Sequence, residues 1–143
     1  MSSSFDIQYR NEWRSLGFYY EFNAHKKCWI FIGSKKGLLN FSELLFTYAM
    51  DKSKNEISEH AHYGPDSYLK VITWNAPIIM ESGIYGSLED IKRLGDIFRN
   101  ILMNNKDKTQ LKIDKEFSKN NECYILLKIK QDNFDPAIYY KPG

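Results

Sequence analysis

Hydrophobic and polar positions along the chain follow two different periods. Alternating or continuously apolar runs rich in aromatic and β-branched residues predict strands. Such runs cover 18–22, 28–32, 68–74, 78–80, 110–113 and 122–130, with a shorter alternation at 5–9. The polar stretch between the first two runs predicts a β-hairpin with a five-residue loop. We therefore expect six or seven strands, with 5–9 as a short edge strand.

Two other segments space their apolar residues three and four positions apart, which predicts amphipathic helices. One follows Gly33-Ser34 and the other follows Gly86-Ser87, where Ser87 and Asp90 have the spacing of a capping box. An offset of 53 residues superimposes the two Gly-Ser pairs and five apolar helix positions. Because amphipathic helices share a period, this match is consistent both with chance and with an internal β-α-β duplication.

These elements predict a single α+β domain over residues 1–143. The expected architecture is a single-layer antiparallel or mixed β-sheet of about six strands, with two helices packed on one face. The beginning of the chain has neither the basic nor the apolar segment of a signal peptide. No apolar run reaches the ~20 residues that a bilayer span requires. We expect a cytoplasmic protein without a membrane partner, and the many Lys, Asn and Ile residues are typical of AT-rich bacterial genomes.

Composition narrows the classes of partner. Aromatic residues make up 15% of the chain, which is consistent with a dense core or with a protein-binding face. The net charge is only +2 and both signs are spread along the chain, whereas nucleic-acid binders usually concentrate basic residues. The basic pairs are Lys26-Lys27 and Lys35-Lys36. They leave a weak nucleic-acid-binding module as an alternative but do not favour it.

Motifs for nucleophilic or cofactor chemistry are sparse. Cys28 and Cys123 lie in apolar surroundings, where cysteine acts as a small core residue, and we expect both to be reduced. The sequence contains no Gly-x-Ser-x-Gly elbow, and the segment Gly33–Gly37 lacks the spacing of a nucleotide-binding loop. A helix cap explains that segment better, and no catalytic residue or cofactor is predicted.

His60 and His62 are the best candidates for metal binding. On a strand they point to the same side, and Glu59 or Asp66 could add an oxygen ligand. A zinc site needs three or four protein ligands, and the only further histidine is His25. A small metal-dependent enzyme that uses this pair is therefore an alternative, while the simpler interpretation is a polar strand that enters a Gly-Pro turn.

The order of these segments resembles small bacterial immunity proteins of polymorphic or contact-dependent toxin systems. The resemblance rests on the helix start at 33–39, the acidic His motif at 59–63, the strand that ends at Trp74 and the second helix start at 85–90. It covers residues 29–102. It implies a non-enzymatic protein that binds a cognate toxin and blocks its active site, without indicating which toxin or which oligomeric state.

The turn and strand after the His motif combine polar and aromatic residues. Tyr63, Asp66, Tyr68 and Trp74 are therefore our candidates for binding the partner. An equally simple interpretation places Tyr68 and Trp74 in the core. The sequence thus favours a protein-binding domain and leaves these two interpretations open.

Overall fold

The computed structural model of the chain describes residues 4–66 and 68–140. Within those residues it has three α-helices: α1 (Ser4–Leu16), α2 (Lys35–Met50) and α3 (Leu88–Met103). The strands are β1 (Phe18–Asn23), β2 (Cys28–Ser34), β3 (His60–Tyr63), β4 (Leu69–Thr73), β5 (Ile78–Met80), β6 (Gly83–Gly86), β7 (Gln110–Ile113) and β8 (Tyr124–Lys130). Short 3-10 turns cover Lys52–Lys54 and Pro136–Tyr139.

The strands form two four-stranded mixed sheets. Their orders are β1-β2-β8-β7 in the first sheet and β3-β4-β6-β5 in the second. In each sheet the two central strands are parallel and the two outer pairs are antiparallel. The α+β class is confirmed, but the prediction of one six-stranded layer with two helices is wrong. Residues of both sheets contribute to the main buried core together with α2 and α3.

The two halves of the chain repeat one order of elements. A hairpin, a helix and a second hairpin occur first as β1-β2, α2 and β3-β4, and then as β5-β6, α3 and β7-β8. Each sheet takes one hairpin from each half, and exchanging the halves converts the strand order of one sheet into that of the other. Both helices have 16 residues and occupy the positions that the 53-residue offset predicts. The repeated unit is therefore β-β-α-β-β, which is larger than the β-α-β unit that the sequence pattern left open as a duplication.

Side-chain caps fix the starts of both repeated helices. The Oγ atom of Ser34 accepts a hydrogen bond of 3.0 Å from the backbone N–H of Gly37. In α3, Ser87 Oγ accepts from the Asp90 N–H at 3.1 Å and the Asp90 carboxylate accepts from the Ser87 N–H at 3.0 Å. The predicted capping box is confirmed, and each cap provides an acceptor for an N–H group that has none inside the helix.

A cluster of three phenylalanine rings joins the helices to the first sheet. The ring centroids of Phe41 in α2 and Phe98 in α3 lie 5.1 Å apart. Phe31 of β2 lies 5.0 Å from Phe41 and 5.7 Å from Phe98. All three rings are fully buried. Truncation of a ring in such a position typically costs 3–5 kcal/mol, so this cluster makes a large contribution to the stability of the fold.

Strand β2 is buried on both faces, which explains its continuous apolar run. Cys28, Ile30 and Ile32 form a second buried cluster on the face away from the main core, covered in part by Phe134. Cys28 and Cys123 are both buried free thiols. These positions agree with the expectation that both cysteines are structural.

The segment 5–9 belongs to α1, so the prediction of an edge strand there is wrong. Its alternating pattern does not reflect burial, because Phe5 and Ile7 are both more than half exposed. The helix instead buries Trp13 and Leu16 near its end. None of the helices in the described part of the chain is long and apolar enough to cross a bilayer.

Two serines associated with α2 should respond oppositely to replacement by alanine. Ser34→Ala removes the helix cap and should lower the free energy of unfolding by about 1 kcal/mol. Ser42 is buried, and its Oγ atom has no hydrogen-bond partner among the described residues. Ser42→Ala should raise the free energy of unfolding by up to about 1 kcal/mol, because it removes an unsatisfied buried hydroxyl. Urea unfolding at pH 7 measures both changes, and a loss of stability in Ser42→Ala would show that this hydroxyl has a partner.

Candidate protein-binding groove

A groove runs along β1, the strand at one edge of the first sheet. Its central cavity of about 550 Å³ lies between α1, β1 and the second sheet. A cavity of about 360 Å³ beside the turn Pro136–Tyr139 adjoins it, and so does a cavity of about 480 Å³ beside Cys123. Neighbouring cavities share lining residues, Glu21 and Asp66 at one boundary and Phe22 and Glu81 at the other. We call these three adjoining cavities the aromatic groove.

Aromatic side chains form most of the lining of this groove. Trp13, Tyr20 and Trp29 are buried and form its floor. The Trp13 ring lies 5.1 Å from Tyr20, and the Tyr20 ring lies 6.1 Å from Trp29. Tyr19 and Tyr68 line the sides, and Tyr68 is 70% exposed. Because the floor is almost fully buried, the exposed Tyr68 ring is the main aromatic surface that a ligand can contact here.

Hydrogen bonds between the two sheets hold the floor in place. The Tyr20 hydroxyl donates to the carbonyl oxygen of Tyr63 and accepts from the Leu69 N–H at 3.3 Å. Trp29 Nε1 donates to the carbonyl oxygen of Met80 at 2.9 Å. Burial raises the pKa of Tyr20 to about 12, so this phenol stays protonated at neutral pH. The groove is therefore built on a connection between sheets that come from different parts of the chain.

Carboxylates give the groove a local negative charge. Glu21, Asp66 and Glu81 line the central cavity and are exposed, and Lys70 is the only basic residue among its described lining residues. Burial raises the pKa of Tyr19, and the nearby charges of Glu21 and Asp66 raise it further. The charge of the groove is therefore opposite in sign to the net charge of the whole chain, which is +2.

The floor also contains an unsatisfied donor. Trp13 lines both the central cavity and the cavity beside Pro136–Tyr139. The residue is only 3% exposed, and its Nε1 atom has no acceptor among the described residues. Leaving a buried donor without an acceptor costs about 1–3 kcal/mol.

The structure brings two of the four candidate partner-binding residues into this groove. Asp66 and Tyr68 line its central cavity. Tyr63 instead packs on the core, with its ring 6.1 Å from that of Phe41. Trp74 is 40% exposed and lies 6.2 Å from the ring of Tyr85, outside the set that lines the groove.

Sequence reasoning missed the β1 contribution to the groove. Tyr19, Glu21 and Phe22 belong to a run whose pattern predicts only a hairpin strand. The available signal was Glu21, a charged residue inside an otherwise apolar aromatic run. On a strand at the edge of a sheet, such a residue marks a side that faces solvent.

His60 and His62 lie on β3, at an edge of the second sheet. Their ring centroids are 4.9 Å apart and both residues are exposed. His60 Nδ1 lies 3.1 Å from the carbonyl oxygen of Ser58. Over residues 4–66 and 68–140, no group of three or more His, Cys, Asp or Glu side chains is placed to hold a metal ion. The pair therefore has no third protein ligand in that part of the chain.

A separate basic cavity of about 670 Å³ lies where the end of α1 meets the start of α2 and the end of α3. Its charged lining residues are three basic ones, Arg14, Lys36 and Arg99, and one acidic one, Glu43. Arg14 is paired with Asp135 through two hydrogen bonds of 3.0 and 3.1 Å, which lower the pKa of that carboxyl group. The Ser34 side chain caps the start of α2 here. These contacts serve the fold, since they attach the last described segment to α1 and close the helix end.

No protein-family model, curated protein or solved structure matches the chain. The resemblance to immunity proteins therefore rests on the sequence pattern alone.

Replacement of Tyr63 by phenylalanine should make the protein more resistant to alkaline unfolding. Burial raises the pKa of Tyr63 to about 12, above its value of ~10 in an unfolded chain. The raised pKa means that ionisation favours the unfolded state, so stability is complete below pH ~10 and falls as the pH rises towards 12. Tyr63→Phe removes this loss and should leave stability at pH 7 almost unchanged.

Tyr20→Phe is the matched control for that change. It removes a phenol with a similarly raised pKa but also removes two hydrogen bonds between the sheets, so it should lower stability at pH 7 by about 1–3 kcal/mol. Urea unfolding at pH 7 and pH 11 distinguishes the two variants. If the stability of wild type and of Tyr63→Phe depends on pH in the same way, the raised pKa of Tyr63 is contradicted.

Proposed function

We propose that this chain is a non-enzymatic protein-binding domain, and specifically an immunity protein that binds a bacterial toxin through the aromatic groove. The observation that supports this proposal is the exposed Tyr68 ring beside a buried floor of Trp13, Tyr20 and Trp29. Tyr and Trp are the side chains that most often dominate binding energy in protein interfaces.

A protein partner would contact the groove together with the surface around it. A stable interface covers about 800 Å² on each partner, more than small cavities supply. The three neighbouring cavities extend from the turn Pro136–Tyr139 to Cys123. Ile138 and Tyr139 in that turn are exposed and add apolar surface at one end. We expect the interface to centre on the groove and to include this turn.

The rigidity of the floor favours affinity. Side chains that are ordered before binding lose less conformational entropy on association. The Tyr20 hydroxyl and the Trp29 indole N–H are already held by backbone groups of the second sheet. The proposed mechanism is occlusion: the bound domain covers the active site of the toxin, and no chemical step takes place on this chain.

Affinity capture from native lysate should recover one stoichiometric protein partner, and Tyr68→Ala should weaken that binding at least about tenfold, as expected for an interface anchor. Met50→Ala is the matched control, because Met50 is 80% exposed at the end of α2 and does not line the groove. Co-expression with the captured partner then tests for neutralisation of its toxicity.

Two outcomes would reject the proposal in different ways. Equal capture by wild type and Tyr68→Ala, with both variants folded by circular dichroism, would place the interface elsewhere. Absence of any stoichiometric partner, or a partner without toxicity, would reject the immunity function.

A further inference from the structure

We propose that the partner presents a cationic surface to the aromatic groove, with arginine side chains between the groove's rings and carboxylates. This inference rests on the proposed function, because it specifies the chemistry of the protein partner. It is carried by the charge of the groove and the arrangement of its rings.

The charged side chains that line the three adjoining cavities of the groove are predominantly acidic. The described acidic residues are Glu21, Asp66, Glu81 and Glu122, and the basic ones are Lys27 and Lys70. Arg10 lies over the Tyr140 ring near one end of the groove, with its guanidinium carbon 5.8 Å from the ring centroid. The groove should therefore attract a positively charged surface and repel phosphate groups, which excludes a nucleic-acid backbone as the favoured occupant.

The combination of rings and carboxylates matches arginine better than lysine. The planar guanidinium group can stack on an aromatic face while its N–H groups donate to a carboxylate, whereas an ammonium group has no plane to stack. Tyr19, Glu21 and Asp66 supply such a combination at the junction of two cavities. Rings and carboxylates therefore lie within one short stretch of the groove.

The fold already uses this mode of contact elsewhere. The guanidinium carbon of Arg93 lies 5.1 Å from the centroid of the Phe117 ring. Its N–H groups donate to the carbonyl oxygens of Glu116 and Phe117 at 3.0 and 2.7 Å. One arginine thus combines ring stacking with hydrogen bonds to oxygen acceptors in this chain.

Two peptides of identical sequence test the inference, one with several arginines separated by glycine and serine, the other with citrulline at the same positions. Citrulline keeps the shape of arginine but is neutral. Titration followed by backbone amide NMR should show binding of the arginine peptide with shifts at Tyr19, Glu21 and Tyr68. The citrulline peptide should bind at least about tenfold more weakly, because charge-assisted hydrogen bonds are lost.

Two variants that each neutralise one carboxylate test whether the arginine peptide binds in the groove. Glu21→Gln should weaken binding of the arginine peptide about three- to tenfold and reduce its salt dependence, since it removes one groove carboxylate. Glu56→Gln removes an exposed carboxylate outside the groove lining and should leave the affinity unchanged. Equal affinity for the two peptides, no binding of the arginine peptide, or equal effects of the two variants would overturn the inference.

These results separate this inference from the proposed function. A captured toxin whose affinity is independent of salt and of Glu21→Gln would support the function and overturn the cationic partner. Selective binding of the arginine peptide by a chain that captures no toxin would uphold the chemistry of the groove and reject the immunity function.

Discussion

The contact between α2 and α3 is the constraint on which the rest of the structure depends. Phe41 and Phe98 meet across the helix pair, and Phe31 of the first sheet joins them in one buried aromatic cluster. Each helix connects two hairpins that belong to different sheets. Packing the helices together therefore brings the hairpins of one half beside those of the other and allows the parallel pairs β2–β8 and β4–β6 to form. The aromatic groove follows from this arrangement, because its two sides belong to different sheets.

The helices were predictable because their information is local. The Gly-Ser starts, the capping box and the spacing of apolar residues place α2 and α3 at the bounds that the structure shows. The same local reasoning failed for α1, where an alternating pattern at 5–9 resembles a strand although Phe5 and Ile7 are exposed. Sheet order was beyond such reasoning, since the register that pairs Cys28 with Tyr124 joins distant parts of the chain. A single sheet was the simpler arrangement, and only the long-range pairing reveals two.

The candidate site also combines residues that local sequence predicts with residues that only long-range strand pairing brings together. Asp66 and Tyr68 lie in a turn next to a strand, where mixed polar and aromatic residues favour exposure, and both line the groove. Tyr63 has the same composition around it, but its ring packs against Phe41 in the core. Glu21 and Glu81 could not be connected from the sequence, because one lies on β1 and the other next to β5, in separate sheets. The negative charge of the groove could not be predicted either, because the net charge of the whole chain is +2.

The two repeated halves of the chain form the base of one aromatic, acidic groove, whose proposed role is binding. Site-specific photocrosslinking tests this claim most directly. A photoreactive phenylalanine analogue at Tyr68, 70% exposed on the side of the groove, is compared in native cells with the same analogue at Met50, 80% exposed and outside the groove lining. We expect a single crosslinked protein from position 68, joined through an arginine-rich surface, and none from position 50. Equal crosslinking from both positions, or crosslinking from position 50 alone, would contradict the assignment of the groove as the binding site.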